Sequence, residues 1–196
     1  MTAKIKLNAA SGGGSFSLQA PSSSSNNRVL TLPDSSDGTI ARTSDIAFVS
    51  YALICDQKGA SDQGGTFTAN TVTTRDLNTE ISDADGIVSI AGNEFTLQAG
   101  TYFIKASAPA FFVQRHVAWL HNETDGAVVQ YGSAEYAELS YGSATRSFIS
   151  ARTTISSAKD FRIKHRCAST RNNNGLGVSS EYNQSIYTIV EIFKEV

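Results

Sequence analysis

The stretch Asn93-Glu-Phe-Thr-Leu-Gln-Ala-Gly100-Thr-Tyr-Phe-Ile-Lys-Ala-Ser-Ala-Pro-Ala110 decides the fold class of this chain. Apolar and polar residues alternate on both sides of the Ala99-Gly100 turn signal, so the stretch reads as two short strands. Successive side chains of a strand point to opposite faces. Tyr102, Ile104, Ala106 and Ala108 therefore share one face, predicted to be core. Phe103, Lys105 and Ser107 share the other, predicted to be mostly wet.

The same pattern runs outward in both directions. Strands are predicted at 48–55, 86–90, 94–98, 101–108, 113–122, 127–131, 146–155, 160–167 and 185–193, with a further extended piece at 64–68. Asp85-Gly86, Gly92-Asn93, Thr124-Asp125-Gly126 and Asn172-Asn173-Asn174-Gly175 supply turn chemistry between them. No window of helical period competes. Many short strands at this spacing argue for an all-β sandwich or barrel.

Residues 1–45 differ in composition. They hold Gly12-Gly13-Gly14 and a run of Ser and Asn, with Phe16 as the one aromatic, and cannot bury enough apolar surface to fold alone. Yet Ser15-Phe16-Ser17-Leu18 and Arg28-Val29-Leu30-Thr31-Leu32 alternate like half-buried strands, and Asp34-Ser35-Ser36-Asp37-Gly38 reads as a turn. Two short strands need something to pair with, so this segment is expected to be an arm that attaches to a partner chain or larger assembly. Residues 46–196 form the predicted β domain.

Charged residues make up 17% of the 196 and the net charge is −2. That balance gives no electrostatic reason to expect nucleic acid or an anionic membrane as partner. No apolar run approaches the roughly 20 residues that span a bilayer. Met1-Thr2-Ala3-Lys4-Ile5-Lys6 lacks the apolar core of a signal peptide, so use without secretion is expected. Cys55 and Cys167 match no CxxC or zinc spacing and read as two reduced, buried thiols, with a disulfide open only if their strands are neighbours.

The strand at 185–193 is apolar on both faces. Ile186, Val190 and Ile192 share one face with Thr188; Tyr187, Ile189 and Phe193 share the other, interrupted by Glu191. One face meets the core. The other needs a second subunit, so an oligomer is expected, with Tyr187, Ile189 and Phe193 at its interface.

Several segments in order carry a resemblance: Ser50-Tyr51-Ala52-Leu53-Ile54-Cys55-Asp56-Gln57-Lys58, Gly64-Gly65-Thr66-Phe67-Thr68, Thr74-Arg75-Asp76-Leu77-Asn78-Thr79, the 99–110 block, Asn122-Glu123-Thr124-Asp125-Gly126 and Tyr187-Thr188-Ile189-Val190-Glu191-Ile192. Residues 48–196 resemble the jelly-roll domain related to the complement globular head and tumour necrosis factor, in the form found in bacteriophage structural proteins. Ser17-Leu18-Gln19-Ala20-Pro21 and Leu30-Thr31-Leu32-Pro33-Asp34 resemble short modules near the start of phage fibre and virion proteins. The resemblance implies a jelly roll of about ten strands, a homotrimer around the last strand, and binding rather than catalysis. It also implies a virion location, with the arm contacting other virion proteins. Similar domains often carry Trp near Val72, which makes local packing there a point of departure.

Candidate sites are few. His116 and His121 are five apart and point to opposite faces of a strand, so they do not chelate a metal together. No metal or cofactor is expected, and no nucleophile motif stands out. Asp83-Ala84-Asp85-Gly86 reads as a turn rather than a calcium loop, since the distal ligands are lacking. Arg162, Lys164 and Arg166 form a basic stripe on one face of a strand, with Phe161, Ile163, His165 and Cys167 on the other. The stripe suits an anionic glycan or capsid surface, or it is a solvated face whose charges meet Glu135, Glu138 or a neighbouring subunit. Tyr131, Tyr136 and Tyr141 lie in a Tyr-, Gly- and Ser-rich stretch, the composition of adaptable recognition surfaces, or else pack at hairpin ends. Asn122-Glu123-Thr124 and Asn183-Gln184-Ser185 match the glycosylation pattern, which carries little weight without secretion.

Three functions stay in view. The first is a short phage fibre or appendage touching a host surface glycan or protein. The second is a capsid decoration protein that stabilises the head. The third, not expected, is a glycan depolymerase, which would need two carboxylates roughly 5–10 Å apart in a groove.

Overall fold

The computed structural model describes residues 4–8, 10–19, 22–23, 25 and 47–196. The chain divides into two units, Met1–Ile40 and Ala41–Val196. In the first, β1 (Lys4–Asn8) pairs antiparallel with β2 (Ser15–Gln19), Ile5 opposite Leu18. The connection turns through Gly12 and Gly13 at φ 86° and 70°, a backbone that glycine adopts at little cost. This corrects one expectation: the strand at 15–18 finds its partner in its own chain. The reason is the alternation Lys4-Ile5-Lys6-Leu7-Asn8, itself a strand pattern. The strand expected at 28–32, the turn at 34–38 and the boundary at 45/46 lie outside the described residues.

Among the described residues the second unit holds twelve strands in two antiparallel sheets. The first sheet runs β12 (Ala144–Ile155), β8 (Gly100–Phe111), β14 (Gln184–Glu195), β3 (Phe48–Gly59) and β5 (Thr79–Asp83). The second runs β10 (Ala127–Tyr131), β9 (Gln114–Asn122), β13 (Lys159–Cys167), β7 (Glu94–Leu97) and β6 (Val88–Ala91). Two short pieces join it, β11 (Glu135–Ala137) beside β9 and β4 (Thr73–Thr74) beside β13. The chain changes sheet between β3 and β4, β4 and β5, β5 and β6, β7 and β8, β8 and β9, β11 and β12, β12 and β13, and β13 and β14. This winding is a jelly roll, with ten strands of four residues or more.

The core follows the period of two. Tyr102, Ile104, Ala106 and Ala108 are buried, and from the facing sheet Phe95, Leu120, Phe161 and Ile163 close over them. Phe95 stacks on Phe161 with centroids 5.6 Å apart. At one end a smaller cluster of Phe67, Ala110, Val113, Ala137, Cys167 and Leu176 caps the sandwich.

Arg75 lies within this packing, fully buried, and holds three elements together. Its Nε donates to Thr188 Oγ1 at 2.9 Å, Nη2 to Leu176 O at 2.7 Å and Nη1 to Pro109 O at 3.3 Å. Desolvation lowers its pKa to about 10, offset in part by Asp56 and Asp76. Asp76 binds Lys58 and Asn93, and Asn78 binds Asp56 and the Gln57 backbone. The Thr74–Thr79 segment is thus a structural clasp.

The last strand departs from strict alternation. The pairing of β14 with β3 gains one residue between Ile186 and Ile189. An extra residue in a strand flips which face each neighbour takes. Before the shift Ser185 and Tyr187 point inward; after it Thr188, Val190 and Ile192 do. Ile186 is consequently exposed, and Tyr187 is only 2% exposed. Tyr187 Oη donates to Asp62 O at 2.5 Å, and its ring lies against Gly177, where an added Cβ would come within 2.3 Å of Cδ1. Tyr187 is therefore packed by its own chain and is not a residue of the free face.

Candidate functional site

The outward face of the first sheet centres on β14, flanked by β8 and β3. Register aligns Tyr51, Phe193, Phe103 and Arg152 in one row across four strands. Phe48 and Tyr51 both pack on Phe193, with centroids 5.3 and 5.0 Å apart, and Phe48 stacks on Phe103 at 6.2 Å. The next row is Leu53, Glu191, Lys105 and Ser150; beyond it lie Ile189, Ser107 and Phe148. Phe48 is 42% and Phe148 60% exposed, while Ile189 and Phe193 are half-buried. Of the three residues expected at an interface, the structure brings Ile189 and Phe193 to this face. Phe48, Tyr51 and Phe103 are its unexpected members.

The outward face of the second sheet carries the basic stripe. Arg162 Nη2 lies 2.5 Å from Glu94 Oε1, and Lys164 Nζ lies 2.7 Å from Glu123 Oε1, with His121 Nδ1 2.8 Å from the same oxygen. The acids that meet the stripe are thus Glu94 and Glu123, not Glu135 or Glu138. Glu138 instead caps the backbone of Leu139 and Ser140, and Ser133 Oγ donates to Glu135 at 2.8 Å.

Among the described residues Arg166 has no ion-pair partner, and it lines an open groove of about 510 Å³ with Arg115, Val117, Ala134, Glu135 and Tyr136. β11 creates this groove by pairing with β9, Tyr136 opposite Arg115 and Glu135 opposite His116. Tyr136 therefore meets one end of the stripe. Tyr131 instead packs on Trp119, centroids 5.7 Å apart, and Tyr141 is 93% exposed on its own turn. Arg115 was not singled out in the sequence, and Glu135 was named there only as an acid that the stripe would meet. Alternation in β9 is the local signal for Arg115 and β11 is too short to give one for Glu135, because the groove depends on which strands are neighbours.

Beneath the groove lies a buried histidine pair. β9 and β13 run side by side, so His116 and His165 meet, His116 Nδ1 2.9 Å from His165 Nε2. His116 Nε2 lies 2.7 Å from Thr145 Oγ1, and His165 packs at a tilt on Phe67, centroids 4.7 Å apart. Among the described residues His165 Nδ1 has no hydrogen-bond partner. Desolvation, with Arg75 adding to it, lowers the His116 pKa to about 4, and Glu135 opposes this. Desolvation, Arg75 and His116 hold His165 well below the ordinary histidine value.

The remaining candidates resolve structurally. Asp83 accepts from the backbone of Ile87 and Val88, both at 2.9 Å, as a turn-capping residue. Cys55 and Cys167 are free and buried. Among the described residues no group of three or more His, Cys, Asp or Glu is placed to hold a metal.

Fold and surfaces together define a two-sheet jelly roll with one aromatic outward face and one grooved, basic one. No family model and no curated protein matches the chain. Among solved structures, murine APRIL at pH 8.5 is similar at 10% identity and TM-score 0.48, covering 74% of this chain and 98% of that one. The globular domain of zebrafish complement 1qA is similar at 14% identity and TM-score 0.46, covering 74% and 95%. The jelly-roll assignment rests on the strand order and register given above.

Proposed function

We propose that this chain is a non-catalytic structural protein of a bacteriophage virion that assembles as a homotrimer and displays its jelly roll outward as a short fibre or appendage. The observation that carries the self-association is the aromatic cluster of Phe48, Tyr51, Phe103 and Phe193 on a sheet face, with Ile189 and Phe148 beyond it. Contiguous exposed apolar surface of this kind marks interaction sites. The trimeric state and the virion setting draw on the resemblance of residues 48–196 to phage jelly rolls. The arm supports attachment to other virion proteins: Ile5, Leu7 and Leu18 are exposed on a two-stranded hairpin, which is marginal by itself in water.

Sedimentation of Ile189→Asp tests the assembly. The unaltered chain is expected to sediment as a trimer and the variant as a monomer. A trimeric variant refutes the placement of the interface. Gold-labelled antibody on purified particles tests the setting. Label on tails or spikes supports an appendage, label spread evenly over the head supports a decoration protein, and unlabelled particles refute a virion role.

A further inference from the structure

We propose that the groove between β9, β11 and β13 binds the carboxylate-bearing sugar of an acidic glycan. The proposal rests on outward display of the second sheet and deepens it by naming the ligand class. Its first support is a pair of uncommitted charges. Arg75, Arg146 and Arg171 donate to oxygens of the chain, and Arg152 and Arg162 pair with Glu195 and Glu94. Arg115 and Arg166 have no acceptor among the described residues, and both line this one groove. Arg166 sits opposite Val117, two residues from Arg115 on the same outward face. A guanidinium is a planar fork of donors that fits a carboxylate bidentately, so two of them beside one groove favour that group.

The second support separates a sugar acid from other anions. Glu135 lines the same groove, held by Ser133 Oγ at 2.8 Å and paired with neither arginine. A carboxylate there repels a phosphate dianion or a polyacidic peptide more than it repels a single sugar carboxylate, and it accepts hydrogen bonds from hydroxyl donors. A polyhydroxylated acid uses both signs of charge at once.

The third support is shape and polarity. Tyr136 is 45% exposed at the groove wall, and Val117, Ala134 and Ala168 give it an apolar lining. The C–H face of a pyranose ring packs on such a surface while its rim hydroxyls stay hydrogen-bonded. The volume of about 510 Å³ lies within the roughly 300–1,000 Å³ of small-ligand sites. With a net charge of −2 the chain has no long-range pull on a polyanion, so recognition is local to this groove.

The test is calorimetric titration of the full chain with oligogalacturonate, a hyaluronan oligosaccharide and sialyllactose, each beside its methyl ester. At least one acid is expected to bind, and its ester to bind about tenfold more weakly or worse. Arg115→Gln and Arg166→Gln are each expected to lose about tenfold in affinity. Arg162→Gln, on the same stripe but paired with Glu94, is expected to stay within about twofold. The proposal is overturned if no acid binds, if ester and acid bind alike, if Arg162→Gln loses as much as Arg166→Gln, or if pentaglutamate or inorganic sulfate binds as tightly. Sedimentation of the same samples separates the readings: a trimer that binds no acid refutes the ligand alone, and a monomer that binds refutes the assembly alone.

Discussion

Acid should destabilise this fold through one buried pair. His116 and His165 are both buried, share a 2.9 Å hydrogen bond and lie near the buried Arg75 guanidinium. The groups that act on them are Arg75 and Glu135, besides each other. Folding requires both rings neutral, whereas in the unfolded chain each titrates near 6.5. A folded-state value below the unfolded one means that the unfolded chain binds more protons at mildly acid pH. The stabilisation is then fully present above about pH 6.5 and drains as pH falls toward about 4. For His116 that interval of roughly 2.5 units corresponds to an upper bound of about 3 kcal/mol, with His165 adding in the same direction. Against a typical domain stability of roughly 5–15 kcal/mol this is a large fraction. The assay is urea unfolding followed by Trp119 fluorescence at pH 7.5, 6.5, 5.5 and 4.5, at one fixed chain concentration. The comparison is between the unaltered chain and the double variant His116→Leu/His165→Leu, because carboxylates titrate in both and cancel in the difference. The double variant is expected to lose less stability between pH 6.5 and 4.5 by about 2 kcal/mol or more. Parallel pH profiles would refute the reasoning.

Two further outcomes follow from packing. Arg75→Leu leaves Thr188 Oγ1, Pro109 O and Leu176 O without their donor, and is expected to cost about 3 kcal/mol. That is a fall of roughly 6–12 °C in Tm by calorimetry, and a fall under about 2 °C would show that the clasp is dispensable. Gly177→Ala combines φ +139° with a Cβ 2.3 Å from Tyr187 Cδ1, so a loss of about 2 kcal/mol is expected in the same assay. An unchanged Tm would show that the Tyr187 seat can shift freely.

What could be read from the sequence was what depends on near neighbours. The inward face of Tyr102, Ile104, Ala106 and Ala108 followed from strict alternation, and so did the opposite faces of His116 and His121. Tyr187 was misplaced because one inserted residue at the β14 shift inverts the alternation, and no local sequence feature marks it. The His116–His165 contact joins residues 49 apart through the register of β9 with β13, which neither strand encodes alone. The groove was hidden for a related reason. It exists because β11, three residues long, lies beside β9, and three residues are too few to show a period. Lys4–Asn8 is a different case, since its alternation is legible in the sequence itself.

The two outward faces divide the chemistry of the sandwich. On the second sheet Glu94 and Glu123 pair with Arg162 and Lys164, so the positive field of the stripe contracts toward Arg166 and, beside it, Arg115. That contraction is what turns a solvated charged face into a local site. On the first sheet the two apolar rows are separated by Glu191 and Lys105, which stand opposite each other in register. A purely apolar face would let copies slide. A charged row between apolar rows penalises misplacement, because a shifted neighbour would bury one charge against its like. In the proposed trimer Ile189→Asp therefore acts twice. It removes apolar surface at the centre of the face and sets a second carboxylate two residues from Glu191, so repulsion adds to the lost contact. Ile189→Asn, without the charge, separates the two effects: it should weaken assembly less than Asp does, and an equal loss would mean that the Glu191 row plays no part in alignment.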